Sequence, residues 1–235
     1  MTAMITASAP AVIAGLDEVG RGALAGPVVA GACVLRGAIR AVATPFLHWV
    51  PADADTDVII TDSKKLSAEQ RERSALWIAD HSACGIGIIG PDIVDAHGIL
   101  EATERSMLAA LDELRLQTTP TYLLVDGHDH FFFPYPKSSV IHGDALEPCI
   151  AAASILAKVA RDRIMVDYAT DFPEYGFAQH KGYGTEEHCA RIAKHGPCAI
   201  HRSTFLRNIM RASSDSATTP APPRRRSAAS TVVRV

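Results

Sequence analysis

The chain has 235 residues, 48% of them apolar, 21% charged and only 6% aromatic. That apolar share is enough to bury a core and excludes global disorder, and the core must rest on Ala, Val, Ile and Leu. Of the net charge of −3, the last 24 residues carry +3 (four Arg, one Asp), which leaves −6 on the rest. A body that acidic is not an obvious polyanion binder, so any contact with nucleic acid must run through local basic patches and bound cations. The longest apolar run, Val28 to Leu35, is far short of the ~20 residues of a bilayer helix. The first Lys or Arg is Arg21, which excludes an ordinary signal peptide. A cytoplasmic protein is expected, with no membrane contact, monomeric, and with no protein partner evident. Five scattered cysteines, Cys33, Cys84, Cys149, Cys189 and Cys198, form no CxxC pair and read as reduced thiols.

In chain order, residues 1–10 are small, featureless and expected to be flexible. Ala11–Asp17 and Val28–Leu35 are short apolar runs joined by the Gly-rich GRGALAGP, which predicts neighbouring strands and a turn. Ser67 followed by Gln70 is a capping-box pattern opening a helix to about Asp80. Cys84–Gly90 reads as a strand, and Pro91 to Arg115 as two helices broken at Gly98. Tyr122–Val125 is a strand running into Asp126-Gly127, and Val140–Ile141 is a weaker one ending at Gly143-Asp144. Pro148 then suits the first turn of a helix reaching about Tyr168. Strands alternating with helices imply an α/β catalytic domain over 11–171 with a central mixed sheet flanked by helices. A small C-terminal helical extension follows over 172–212. From Ser213 to the end, Ser, Thr, Ala and Pro dominate around an Arg triplet, and a disordered tail is expected over 213–235.

Asp17, Glu18 and Asp126 stand where apolar strands end, and Asp144 follows a weaker strand. Strand ends are where chemistry collects in α/β sheets. Carboxylates brought together either shift their pKa or hold a cation, and oxygen ligands without His or Cys favour Mg²⁺ or Mn²⁺. Two such ions serve phosphoryl transfer. Taken singly, each acid reads equally well as a loop residue or a helix cap, and pattern alone leaves that open. Candidate phosphate handles surround them: Gly20-Arg21-Gly22, Lys64 and Lys65 in DSKK, and Ser154, Lys158 and Arg161 on one helical face. That face, opposite Ile155, Val159, Ala152, Leu156 and Val166, reads from pattern alone as solvated. Gln179 to Gly184 joins basic and aromatic groups on flexible backbone, as a sugar- or base-contacting loop does.

Five ordered segments together carry a family resemblance: AGLDEVGRGALAGPVVAGACVL, ITDSKKLS, YLLVDG, GDALEPCIAAASILAKVARDRIM and FPEYGFAQHKGYGT, with a weaker HRSTF beyond. The sequence resembles bacterial ribonuclease HII, the type 2 RNase H family. The resemblance implies an RNase H-like fold and endonucleolytic cleavage of RNA in RNA–DNA hybrids. It also implies cutting at single ribonucleotides embedded in duplex DNA, leaving 3′-hydroxyl and 5′-phosphate ends. Carried over by motif, Asp17, Glu18, Asp126 and Asp144 match the four active-site acids, expected to bind two Mn²⁺ or Mg²⁺ ions. Gly20, Arg21 and Gly22 match the segment that senses the ribose 2′-OH, and Tyr183 the tyrosine that stacks on the adjacent sugar. Lys64, Lys65, Ser154 and Lys158 match segments that hold the phosphate backbone, with either lysine eligible. Departures are local: Ala23 in GRGAL, His142 before Gly143, His128 after VDG, and Gly98. A metal phosphatase acting on small molecules and a non-catalytic hybrid-binding module are the alternatives. The spread of basic segments speaks against the first, and the presence of all four acids against the second.

Overall fold

The computed structural model describes residues 11–206 except 44, 53–56, 129 and 130. The N-terminal segment expected over 1–10 and the tail expected over 213–235 lie outside the described residues. The chain opens with β1 (Ile13–Val19) and β2 (Val28–Val34), an antiparallel pair that sets Asp17 opposite Gly31 and Glu18 opposite Ala30. A hairpin of β3 (Ile39–Val42) and β4 (His48–Pro51) follows, then α1 (Ala68–His81) and β5 (Ala83–Ile89), which pairs antiparallel with β2. Next come α2 (Pro91–His97) and α3 (Ile99–Arg115), parted by Gly98. Strand β6 (Tyr122–Asp126) lies parallel to β1, and β7 (Lys137–Val140) parallel to β6. After α4 (Gly143–Leu146) and the long α5 (Pro148–Asp171) come α6 (Phe177–His180) and α7 (Glu186–His195).

The central sheet runs β5-β2-β1-β6-β7, mixed in direction, with helices on both faces. This is the expected α/β architecture. The capping box holds in both directions: Gln70 donates its backbone N–H to Ser67 Oγ at 3.1 Å, and Ser67 donates its own to Gln70 Oε1 at 2.9 Å. The β3–β4 hairpin was not expected, because its strands are short and carry Arg, His and Pro. Among the described residues no helix is long and apolar enough to cross a membrane.

Side-chain alternation divides the sheet into two packed faces. Ala14 and Leu16 of β1 join Ala30 and Ala32 of β2 against Met107, Ala110, Leu111 and Leu114 of α3, with Phe131 and Phe133 closing that core. Cys33 of β2 lies on the other face, under Ala151 to Ala153 and Ile155 of α5. Here Gly15 and Gly31 let α5 approach closely. A Cβ on Gly15 would stand 2.2 Å from the backbone carbon of Cys149, and one on Gly31 2.3 Å from the carbonyl oxygen of Ala153. Since Gly15 and Asp17 share a face, this contact sets α5 along β1 and delivers its side chains to the first acid.

Two expectations change. Strand β1 does not stop at Asp17 but carries both acids as regular strand residues, and the turn comes only after Val19. The polar face of α5 is not solvated: Arg161 is 0% and Ser154 6% exposed, whereas Val166, assigned to the apolar side, is 46% exposed. Burial on both sides of the helix's first half erases the amphipathic contrast on which the wheel depends. From the Gly15 contact, Gly15→Ala is expected to destabilise the protein by about 1–3 kcal/mol, the usual cost of overpacking. The urea unfolding midpoint measures it, and an unchanged midpoint would show that α5 is free to move.

Candidate active site

Asp17 sits near the end of β1, buried on the face of the sheet that α5 covers. Its pKa is raised well above the ordinary 3.8, first by burial, then by the charges of Glu18, Asp126 and Asp144, while a hydrogen bond from Ser154 on α5 works the other way. Asp144 is also raised, by burial and then by Asp62 and Asp126, with Lys64 opposing. Asp17, Asp126 and Asp144 therefore face one another from the ends of β1 and β6 and the start of α4, with Glu18 beside Asp17 along the strand. Asp126, the last residue of β6, accepts the backbone N–H of Gly143 at 2.7 Å and that of Asp144 at 3.4 Å. The carboxylate of one acid thus fixes the backbone that carries another. His142, in a left-handed conformation at φ 56°, makes the bend that leads into this turn.

Adjacent strand residues point to opposite faces, so Asp17 faces α5 while Glu18 leaves on the other side and meets Arg21 at 3.2 Å. Among the described residues no three Asp, Glu, His or Cys are yet close enough to hold an ion as they stand. The donor set nonetheless fits a hard divalent cation: it is all oxygen, and burial and mutual repulsion leave its negative charge under-compensated. Part of that charge is met by Lys64, whose Nζ lies 3.6 Å from Asp144 and 3.9 Å from Asp62. Burial works against the Lys64 charge, but Asp144, Asp62 and Asp17 raise its pKa on balance.

The two lysines diverge. Lys64 faces the acids, whereas Lys65 turns away and lies 5.3 Å above the ring of Phe46. Ser154 Oγ pairs with Ser63 Oγ at 3.1 Å, linking α5 to the Lys64 turn. Lys158 bonds Asp162 at 2.7 Å and stands 5.8 Å above the Tyr183 ring, with the Arg161 guanidinium 5.2 Å from the same ring. Tyr183 and the Gly20–Gly22 turn therefore form one wall beside the acids. Leu24 donates its N–H to the carbonyl of Gly182 at 2.8 Å, tying the two segments directly.

Arg202 and Asp62 escaped the sequence reading, and Arg161, named there as a phosphate handle, is instead buried and builds the wall. Arg161 donates to the carbonyls of Pro27, Lys181 and Ala25 at 2.9–3.0 Å, and Arg202 to those of Gly26 and Arg21 at 2.8–3.0 Å. Burial, then the neighbouring Arg161 charge, pushes Arg202 down to about 9. Gly20, at φ +90°, leaves the space Arg161 fills: a Cβ there would lie 2.2 Å from Arg161 Nε. Asp62, within DSKK, is a further carboxylate beside Asp144. Arg202 lies in the weak HRSTF match, which was the one available signal for it. In the segment after His128, Phe131 and Phe133 are core residues, and Phe132 is exposed.

The family model described as ribonuclease HII matches residues 14–208. A ribonuclease HII from Geotalea uraniireducens is 46% identical over 196 residues, which make up 83% of this chain and 82% of that protein. Among solved structures, ribonuclease H2 from Pyrococcus horikoshii aligns with a TM-score of 0.65 at 23% identity, covering 87% of this chain and 99% of that one. A Bst-RNase HIII in complex with Mn²⁺ aligns with a TM-score of 0.54 at 14% identity, covering 87% of this chain and 71% of that one. At such identities the two structures speak to the fold. The sequence match speaks to more, and by its span and its near-half identity the chain belongs to the ribonuclease HII family.

Proposed function

We propose that this ribonuclease H is a metal-dependent endonuclease that cuts the RNA strand of RNA–DNA hybrids and cuts at ribonucleotides embedded in duplex DNA. Its products carry 3′-hydroxyl and 5′-phosphate ends, and it acts as a cytoplasmic monomer. One juxtaposition carries the reading: an acid cluster with raised Asp17 and Asp144 lies beside a wall made of Gly20, Arg21, Gly22 and Tyr183. Asp17, Glu18, Asp126 and Asp144 would hold Mn²⁺ or Mg²⁺, two ions during catalysis. Bound there, the ions supply an activated water and stabilise the leaving oxygen. The Mn²⁺ bound by the Bst-RNase HIII supports this choice of cation.

The remaining steps belong to the chain's own side chains. Backbone at Gly20 to Gly22 approaches the ribose closely and reads the 2′-OH, the group that separates RNA from DNA. Tyr183 packs on the sugar beside the junction and excludes water, and Lys158 and Ser154 hold flanking phosphates. Lys64 rather than Lys65 serves the scissile side, because its ammonium already faces Asp144. Residues 11–171 form the catalytic domain, and the extension over 172–212 supplies the wall.

The test begins with Asp17→Asn and Asp126→Asn, each expected to lower cleavage of single-ribonucleotide duplex by several orders of magnitude with the fold intact. Near-wild-type cleavage by either would overturn the metal assignment. Asp17→Asn should at the same time stabilise the metal-free protein at neutral pH. A carboxyl held above 3.8 in the fold gives up its proton at a cost, so its contribution to stability falls as pH rises past 3.8 toward the raised value. The Asn variant loses that decline, which urea unfolding in chelator across the pH range measures. For the wall, Tyr183→Phe should retain most activity, whereas Tyr183→Ala should lose about 1–3 kcal/mol of substrate stabilisation, the range for stacking on nucleic acid. The loss should be greatest on a single embedded ribonucleotide, with the Mn²⁺ activation midpoint unmoved. A shifted midpoint with unchanged substrate preference would refute the assignment.

A further inference from the structure

Behind Tyr183 lie side chains that the proposed reaction does not use: the buried His188 on α7 and His201 in the segment after it, and the half-buried Cys198 between them in sequence. We propose that His188, backed by His201 and Cys198, is a positioning residue that sets the backbone of Tyr183 through a one-way chain of hydrogen bonds. The inference rests on the reading of Tyr183 as the residue that stacks on the substrate sugar.

The direction of the chain follows from what each atom can do. A carbonyl only accepts, so His188 Nδ1, 2.9 Å from the Tyr183 carbonyl oxygen, must carry the hydrogen. Its Nε2 is then a lone pair, and it faces His201 Nε2 at 3.1 Å, which must donate. That leaves His201 Nδ1 as an acceptor, and it meets the Cys198 backbone N–H at 2.9 Å, with Cys198 Sγ at 3.1 Å. Each ring nitrogen therefore has one role, and the two rings hold opposite tautomers. A chain of this kind is more than filling: leucine or phenylalanine would fill the space without aiming a donor at Tyr183.

The preceding peptide is gripped from the other side. His180, on α6, donates through Nε2 to the Tyr175 carbonyl at 2.7 Å and accepts the Gly182 N–H on Nδ1 at 3.2 Å. Its ring stacks on that of His188, with centroids 4.3 Å apart. Lys181, between them, sits in the left-handed region at φ 52°, so the turn that presents Tyr183 needs such anchoring.

The chain works only with both imidazoles uncharged, since a second proton would set N–H against N–H. Burial first, and neighbouring imidazoles besides, hold both His188 and His201 down to about 4. The titratable groups around them are His180 from α6, Cys198 and Arg202 from the closing segment, and Tyr175, whose ring meets His201 edge-on at 4.9 Å. Beyond Tyr175 stand His195 and Glu174, and on the far side of Tyr183 stand Lys158 and Arg161. None of these forms an ion pair with either ring among the described residues.

The test compares His188→Leu, which fills the site and donates nothing, with His188→Asn, whose amide N–H lies where Nδ1–H was. On duplex DNA with one ribonucleotide, His188→Leu should cut about tenfold more slowly, the loss of roughly one directed hydrogen bond. His188→Asn should recover most of that loss, and neither should shift the Mn²⁺ midpoint. The double variant His188→Leu/Tyr183→Ala should be no slower than Tyr183→Ala alone. Additive losses, or no recovery by Asn, would reduce His188 to a core residue and overturn the proposal. Slow Tyr183→Ala beside fast His188→Leu would overturn the relay and leave the Tyr183 reading standing. Wild-type cleavage by Tyr183→Ala would remove that reading, and the proposal with it. Should His188→Leu fail to fold, imidazole ¹⁵N shifts of the wild-type protein at pH 7 decide the matter. The expected tautomers are Nδ1–H for His188 and Nε2–H for His201, and the reverse assignment overturns the chain.

Discussion

Two buried guanidiniums hold together the wall of Gly20, Arg21, Gly22 and Tyr183, and they do so without a bonded carboxylate among the described residues. Arg161 and Arg202 are each 0% exposed, and their hydrogen bonds go to backbone carbonyls of residues 21, 25, 26, 27 and 181. A buried charge is costly unless every donor is engaged, and the planar fork of arginine engages several carbonyls from one point. A lysine in either place would reach fewer of them. Because the bonds cross between the β1–β2 connection, the Lys181 turn and the closing segment, the shape of the Gly20–Gly22 wall depends on chain that lies far away in sequence.

The site thus sets two electrostatic problems side by side. At the strand ends, burial first and mutual repulsion second raise the pKa of Asp17 and Asp144. Beneath the wall, two cations lie in full burial, which lowers the pKa of both, with the Arg161 charge adding to the effect at Arg202. The cations are answered permanently by carbonyl dipoles. The acids are answered only in part, by Lys64, and that difference separates the scaffold from the cluster proposed to take up ions.

Much of this was legible in the sequence where local rules operate. The Ser67–Gln70 cap, the Gly98 break, Pro148 in the first turn and the apolar runs of β1, β2 and β5 all express short-range physics. The acids were legible as a set because they punctuate strand ends, although β1 proved to continue through Glu18. What was not legible depends on distant chain. Arg161 reads as polar surface on a helical wheel, since nothing nearby in sequence reveals the carbonyls it meets. The same holds for His188 and His201, whose roles exist only once α7 and the closing segment lie against Tyr183. Likewise β3 and β4, short and mixed in composition, pair with each other and through a single bridge from Trp49 to Ile60, and carry no strong period.

The link between Arg202 and the carbonyl of Arg21 spans 181 residues. Closing so long a loop is entropically costly, and contacts of that separation form late. All four acids have been synthesised by residue 144, and α5 is complete by Asp171, so the sheet and its anionic cluster can assemble on a nascent chain. The wall cannot, because its fasteners lie at 181, 188 and 202. The part of the site assigned to substrate choice is therefore the last to be fastened, and an interrupted chain carries the acids without it.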